Sequence, residues 1–234
     1  MHPSAIHPLV TYLRQAMSDA GDPAQAPAMQ AYMKTDQPFY GVQAGPRREI
    51  FRAALKQHPI RSREEYGNTV RDLWGGVYRE EMYLALDLAQ QAKVYRDLAS
   101  WPLYVEMMRT ATNWDTLDVI AAHLLGDLLR QHREKEAEVR TWVDDDNLWV
   151  RRTALLIHLK HKGETNLPML SHAILHLAHE KEFFIRKAIG WVLREYAKTD
   201  PDWVRAFVTT HTDQLSGLSV REAMKNLQGK TSAG

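Results

Sequence analysis

Helical periodicity is the feature that most limits what this chain can fold into. Along nearly all of its 234 residues, apolar side chains recur at spacings of three and four, and we find no convincing alternating run typical of a β-strand. Glycine and proline break the pattern at short intervals, as at Gly75-Gly76 and Thr199-Asp200-Pro201. The sequence therefore predicts an all-α protein of about a dozen helices joined by short turns.

The spacing of the predicted helices indicates how they are arranged. Helix pairs begin near residues 101, 134, 166 and 201, so that each pair takes roughly 33 residues. Pairs of this size favour HEAT-like helical repeats that stack into an α-solenoid superhelix, whose concave face suits an extended partner. We expect residues 1–234 to form a single domain and the protein to be a monomer.

Composition excludes several classes of protein. The chain has no cysteine, which removes disulfides and thiolate metal sites. Its apolar runs are short and broken by charges, and residues 1–20 lack the apolar centre of a signal peptide, so we expect a cytoplasmic protein outside the membrane. His172, His176 and His179 share a helix face without a companion acid, which is typical of a solvated face rather than a metal site. Because the chain also has no phosphate-binding GxxxxGK motif and no nucleophile elbow, we expect neither a metal nor a cofactor.

The net charge of +1 conceals an uneven distribution. Up to Asp146 the chain carries 17 basic and 21 acidic residues, and from Asn147 onward it carries 13 basic and 8 acidic, so a segment of −4 is followed by one of +5. A total near zero says little about local potential, and a basic segment is where a polyanion would bind. The C-terminal part is therefore predicted to dominate any binding of nucleic acid.

Trp114 and Asp118 share a face at the start of a helix predicted over 114–131. Asn113 is a favourable N-cap, and the spacing of four places Asp118 one turn beyond Trp114 in an otherwise apolar stripe. A carboxylate there is costly unless it is paired or lies in a cleft. Asp118 is therefore either a structural carboxylate that ties two helices together or a group with a chemical role.

The helix predicted over 147–162 carries a cation in an equally apolar row. Arg152 is in register with leucines on both sides, and a guanidinium there needs an anion, either a carboxylate such as Asp118 or a phosphate. Arg151 projects toward the rim of this helix. Lys160 and Lys162, at its end, are placed to compensate the helix dipole or to contact a phosphate backbone.

Trp191 lies at the centre of a cationic helix face. Four residues surround it at −7, −4, +3 and +7, roughly opposite the apolar stripe of the same helix: Phe184, Lys187, Arg194 and Lys198. Cations interleaved with aromatic side chains are what a surface needs to hold phosphates and to contact sugars or bases. The alternative is a neighbouring helix that covers the indole while the cations extend outward to solvent.

The chain resembles, over nearly its whole length, the DNA alkylation repair family of AlkD-like, HEAT-repeat alkylpurine DNA glycosylases. The fragments that carry the resemblance are weak singly, but they follow the family's order at compatible spacings. They are Ala31-Tyr32-Met33-Lys34, Phe39-Tyr40-Gly41-Val42-Gln43, Arg47-Arg48, Trp114-Asp115-Thr116-Leu117-Asp118, Asn147-x-Trp149-x-x-Arg152, Lys187-Ala188-Ile189-Gly190-Trp191-Val192-Leu193-Arg194-Glu195 and Leu215-Ser216-x-Leu218-x-x-Arg221-Glu222-Ala223. One departure is Asn113, where family members commonly carry a second tryptophan.

The resemblance implies an enzyme of the bacterial cytoplasm, associated with the nucleoid, whose concave basic face binds double-stranded DNA. Its reaction would be hydrolysis of the N-glycosidic bond of cationic N3- and N7-alkylated purines, such as 3-methyladenine and 7-methylguanine, with the lesion left stacked rather than flipped out. By the same resemblance, Trp114 and Trp191 would press against the deoxyribose, Asp118 would lie near the anomeric carbon, and Arg152 would hold the DNA backbone. The further residues expected to contact DNA are Tyr32, Gln43, Arg48, Arg151, Lys160, Lys162, Lys187 and Arg194.

The chemistry of such a lesion agrees with this residue set. A positively charged purine is already a good leaving group, so the oxocarbenium-like sugar must be stabilised and no general acid is required. No lysine lies within one helical turn of Asp118, which favours a monofunctional hydrolase over a Schiff-base lyase. Two alternatives are a non-catalytic HEAT-repeat protein that binds damaged or branched DNA, and a HEAT-type protein scaffold, which would not need Trp191 among cations.

Overall fold

The computed structural model describes residues 6–227, and over these residues the chain is helical and contains no strand, so the all-α prediction is confirmed there. The ends of the predicted domain, residues 1–5 and 228–234, lie outside the described residues. The α-helices are α1 (Pro8–Asp19), α2 (Ala26–Met33), α3 (Ala44–Gln57), α4 (Arg63–Trp74), α5 (Arg79–Gln91), α6 (Trp101–Thr110), α7 (Trp114–Val119), α8 (Gly126–Gln131), α9 (Glu136–Arg140), α10 (Leu148–Leu156), α11 (Leu167–Leu177), α12 (Phe183–Tyr196), α13 (Pro201–Thr210) and α14 (Gly217–Met224). Short 3₁₀ turns lie at Lys93–Tyr95, Leu98–Ser100, Arg133–Lys135, Thr141–Asp144 and Lys162–Glu164, and a π-helical turn lies at Ile120–Leu125.

The chain divides after Leu103 into two compact units. In the first, α3 packs on α1 and α5, and α4 packs on α1 and α5. The buried carboxylate of Glu80 accepts hydrogen bonds from the backbone N–H groups of Tyr40, Gly41 and Val42, which fixes the segment that leads into α3. Gly41 has a φ of +88°, and a Cβ there would lie 2.2 Å from the Asp22 carbonyl oxygen, so this turn requires glycine.

In the second unit, α10 lies among α7, α11 and α12, while α12 also packs on α13 and α14. The predicted starts near 101, 166 and 201 are confirmed, because α6, α11 and α13 begin at Trp101, Leu167 and Pro201. Near 134 the sequence predicts a helix over 134–143, whereas the structure has the five-residue α9 between two 3₁₀ turns.

The helix predicted over 114–131 is interrupted by the π-helical turn that follows α7. A π turn accommodates an extra residue inside a helix, and side-chain periodicity does not reveal such an insertion because both sides of the turn remain apolar. Beyond the turn, Gly126 lies close to α10, since a Cβ there would be 2.7 Å from the carbonyl oxygen of Ile157. The neighbouring prediction, 147–162, is also shortened, because α10 ends at Leu156.

The closest helix packing in the second unit is between α12 and α14. A Cβ on Gly190 would lie 2.4 Å from the Cβ of Glu222 and 2.8 Å from the carbonyl oxygen of Ser219, so α14 fits against this helix only because position 190 has no side chain. The hydroxyl of Ser219 also donates to the carbonyl oxygen of Arg186 at 2.9 Å. Of the helices within residues 6–227, none is long and apolar enough to cross a membrane.

Candidate active site

Asp118 on α7 and Arg152 on α10 form a two-pronged ion pair. Arg152 donates from Nε to Oδ1 of Asp118 at 2.9 Å and from Nη2 to Oδ2 at 3.0 Å. The side chains are nearly buried, with 4% of Arg152 and 14% of Asp118 exposed. Of the two anions that the sequence left open for Arg152, the carboxylate is therefore the one present, and α7 is tied to α10.

The same guanidinium also reaches α12. Its Nη1 donates to the carbonyl oxygen of Phe184, and its Cζ lies 5.8 Å from the centroid of the Phe184 ring. The Phe184 ring also makes a tilted aromatic contact with Trp149 of α10, at 5.1 Å between ring centroids. Arg152 thus fixes the first turn of α12 relative to Asp118, and Trp191 lies two turns further along that helix.

The environment of Asp118 acts on its pKa in two directions. Burial raises the pKa of this carboxyl above its ordinary value, while the hydrogen bonds and the charge of Arg152 act to lower it. Burial is the larger effect, so the pKa is raised. The carboxylate has roughly four lone-pair positions, and Arg152 donates to two of them, so the group can accept further hydrogen bonds.

Trp114 is held at the N-terminus of α7, one turn before Asp118. The predicted N-cap is confirmed: the backbone of Asn113 is extended, and its Oδ1 accepts from the backbone N–H of Trp114 at 2.8 Å. Asn113 itself is buried, whereas the Trp114 side chain is half-buried. Asn113 therefore caps α7 and fixes the backbone that carries Trp114.

The cationic face around Trp191 is partly an interface with α14. Lys187 Nζ lies 2.7 Å from Oε1 of Glu222, and Arg194 Nη1 lies 2.5 Å from Oε2 of the same carboxylate. Trp191 is half-buried between these two cations along the helix. A neighbouring helix, α14, therefore packs on this face at Gly190, and the two cations pair with its Glu222 instead of extending outward to solvent.

Arg151 points away from Arg152 and is also engaged. It donates from Nε and Nη2 to Glu180 at 2.7 and 3.2 Å, and from Nη1 to the carbonyl oxygens of Asp145 and Asp146. These bonds join the turn before α10 to the turn after α11. Lys160 and Lys162, by contrast, are exposed at the end of the same segment, with no ion pair to any residue in 6–227.

The remaining predicted contacts lie in the first unit. Tyr32 and Gln43 line the same cleft of about 420 Å³, together with apolar side chains that include Met33 and Phe39. Gln43 donates from its amide to Oε1 of Gln25 at 2.7 Å, while Tyr32 is largely exposed. Arg48 is exposed on the first turns of α3.

Comparison with known proteins gives these residues a context. The sequence model of the family described as DNA alkylation repair enzyme matches residues 13–227. The chain belongs to that family. A solved structure described as a predicted DNA alkylation repair enzyme from Enterococcus faecalis is similar over 90% of this chain and 98% of its own, with 31% identity and a TM-score of 0.81. That likeness confirms the helical-repeat fold class, whereas no curated protein matches the chain.

Two acidic residues of this alkylation repair protein were given no role by the sequence. Glu222 bridges Lys187 and Arg194, and Glu180 binds Arg151. Glu222 belongs to one of the fragments that carry the family resemblance, so the sequence did single out this position. Its partners could not be predicted, because they lie on another helix about 30 positions away.

His172 and His176 are exposed on α11, and His179 is exposed just after the end of that helix. His176 Nε2 lies 2.9 Å from Oδ1 of Asp144, and His179 Nδ1 lies 2.8 Å from the carbonyl oxygen of His176. Among residues 6–227 there is no group of three or more acidic or histidine side chains placed to hold a metal ion.

Proposed function

We propose that this protein is a monofunctional DNA glycosylase that hydrolyses the N-glycosidic bond of cationic N3- and N7-alkylated purines in duplex DNA, with the lesion left in the stack. The observation that carries the proposal is the Asp118 carboxylate, which Arg152 holds by two hydrogen bonds one helical turn beyond Trp114. The resemblance to the family implies a carboxylate near the anomeric carbon, and the paired Asp118 supports that role.

The carboxylate is suited to stabilise a cationic sugar. As the bond to an alkylated purine breaks, the positive charge moves from the base to the deoxyribose, and a fixed anion nearby lowers the energy of that state. Arg152 fixes the orientation of Asp118 in advance, so little reorganisation is needed during the reaction. A water held by a free lone pair of Asp118 would attack the anomeric carbon and give up its proton to the carboxylate.

The two tryptophans would enclose the sugar on either side. Trp114 and Trp191 are both half-buried, so part of each indole remains available for contact. The face of an indole attracts a cation through its quadrupole, and this attraction grows as the sugar gains charge. The other proposed DNA contacts are Tyr32, Gln43, Arg48, Arg151, Arg152, Lys160, Lys162, Lys187 and Arg194.

The direct test is release of free base from methylated duplex DNA. We expect 3-methyladenine and 7-methylguanine to be released well above the spontaneous rate, with abasic sites left intact in the strand. Strand cleavage would contradict the monofunctional assignment. Duplex binding without base release would favour the alternative, a non-catalytic protein that binds damaged or branched DNA.

The pH dependence of base release should report the state of Asp118. The group works as a carboxylate, and because burial raises its pKa, activity should decline on acidification at a pH above the ordinary aspartate value of 3.8. The measurement is single-turnover base release from pH 8 down to pH 4, after subtraction of spontaneous loss at each pH. A rate that stays flat down to the pH at which the protein unfolds would show that ionisation of Asp118 is not required.

A further inference from the structure

Glu222 joins two cations that flank Trp191 on α12. Lys187 and Arg194 bind different oxygens of this one carboxylate, at 2.7 and 2.5 Å. The exposed fractions of the three side chains are 38% for Lys187, 24% for Arg194 and 15% for Glu222, so both cations remain partly accessible and the anion is the least exposed of the three. The two cations and the carboxylate carry a joint charge of +1 rather than +2.

The position of Glu222 is fixed by helix packing. Its Cβ occupies the space over Gly190 that a side chain there would fill, so the packing of α14 on α12 holds the base of this side chain beside the two cations. The hydrogen bond from Lys187 is the largest of the influences that lower the pKa of Glu222, and Arg194 and Lys225 add to it. The carboxylate is therefore ionised at neutral pH.

We propose that Glu222 competes with DNA phosphates for Lys187 and Arg194. By holding both cations in an internal ion pair, its carboxylate weakens the binding of undamaged duplex beside Trp191. A backbone phosphate that approaches these cations must share them with a carboxylate whose backbone is anchored beside them. The inference rests on the proposed function, because it assumes that the face carrying Trp191 meets DNA.

The physical reason is the dependence of non-specific binding on phosphate neutralisation. Each phosphate that a protein cation neutralises releases condensed counterions, and this release supplies most of the affinity for undamaged DNA. A repair enzyme must also release undamaged DNA in order to search for lesions. A cation pair that is already half neutralised binds phosphate less strongly and therefore favours rapid dissociation from undamaged duplex. Contacts to the lesion itself, at Asp118 and the tryptophans, do not depend on this charge.

The test is the substitution Glu222→Gln, which keeps the shape of the side chain and removes its charge. We expect the affinity for undamaged duplex to rise about 5- to 10-fold at 0.1 M salt, and the plot of log affinity against log salt to steepen by about one unit. The matched control is Asp202→Asn, which makes the same change in net charge at a position on α13 where the side chain is 89% exposed and paired with Arg205. The control should bind as the wild type does.

A second substitution checks that the effect comes from these cations. In the double variant Glu222→Gln with Lys187→Met, the local charge returns to +1 and the gain in affinity should be lost. Affinity that is unchanged or weaker in Glu222→Gln, or a gain that persists in the double variant, would overturn the inference, as would a lack of duplex binding by every variant at low salt.

A measurement on the wild type covers the case in which Glu222→Gln does not fold. The carboxyl carbon resonance of Glu222 in isotopically labelled protein should move when undamaged duplex is added, because phosphates then compete for its two partners. An unmoved resonance under saturating duplex would also overturn the inference. A wild type that binds duplex but releases no alkylated base would contradict the proposed function and leave this inference standing.

Discussion

Replacement of Asp118 by asparagine is expected to lower single-turnover base release by about 10²- to 10³-fold while duplex binding changes only a few-fold. The amide keeps the size of the side chain but loses the negative charge that would stabilise the sugar cation and accept a proton from water. Release of 3-methyladenine from methylated duplex measures the first effect, and a binding titration with undamaged duplex measures the second.

The matched control is Asp202→Asn, which makes the same chemical change on α13, where the side chain is 89% exposed and paired with Arg205. Because this side chain is largely in solvent on a different helix, base release should stay near the wild-type rate. Loss of binding with retained turnover in Asp118→Asn would instead mean that the carboxylate is structural. Equal losses in both variants would point to a general effect of net charge.

Replacement of Arg152 by methionine is expected to destabilise the fold by about 3–5 kcal/mol, because Asp118 is left nearly buried without its two hydrogen bonds. For a chain of this length, that loss corresponds to a fall of about 10 °C in the midpoint of thermal unfolding. Calorimetry or circular dichroism measures the shift. A fall of only 1–2 °C would show that water replaces the guanidinium at little cost.

A double substitution separates the structural role of the pair from its chemical role. With Asp118→Leu added to Arg152→Met, no unpaired charge remains, so much of the lost stability should return. Base release should nevertheless stay abolished, because the carboxylate is gone. A double variant that recovers stability and also releases base would remove Asp118 from the mechanism.

Most of the local structure could be predicted from the sequence because it depends on neighbouring residues. The periodicity of apolar positions predicts the helices, and Asn113 predicts the N-terminus of α7 through its side-chain oxygen. The need for an anion beside Arg152 also follows from its apolar row. That argument left carboxylate and phosphate open, because only the packing of α7 against α10 brings Asp118 within reach.

Features that depend on contacts between distant helices could not be predicted in this way. Lys187 and Arg194 are both consistent with phosphate contacts on their own helix, and Glu222 becomes their partner only when α14 fits over Gly190. The π-helical turn after α7 could not be predicted from the sequence for another reason. Its residues are as apolar as those of an ordinary core helix, so the one-residue change of register leaves no mark in the pattern.

The pairing of Asp118 with Arg152 has a consequence for how DNA could approach this site. A lone carboxylate would repel the phosphates of an incoming duplex over the full Debye length, about 8 Å at physiological ionic strength. The neutral pair acts at that range only as a dipole, whose field decays faster with distance than that of a net charge. At contact distance, however, a sugar placed next to Asp118 would be closer to its carboxylate than to the guanidinium of Arg152. The arrangement thus combines weak repulsion at long range with a strong anionic field at short range.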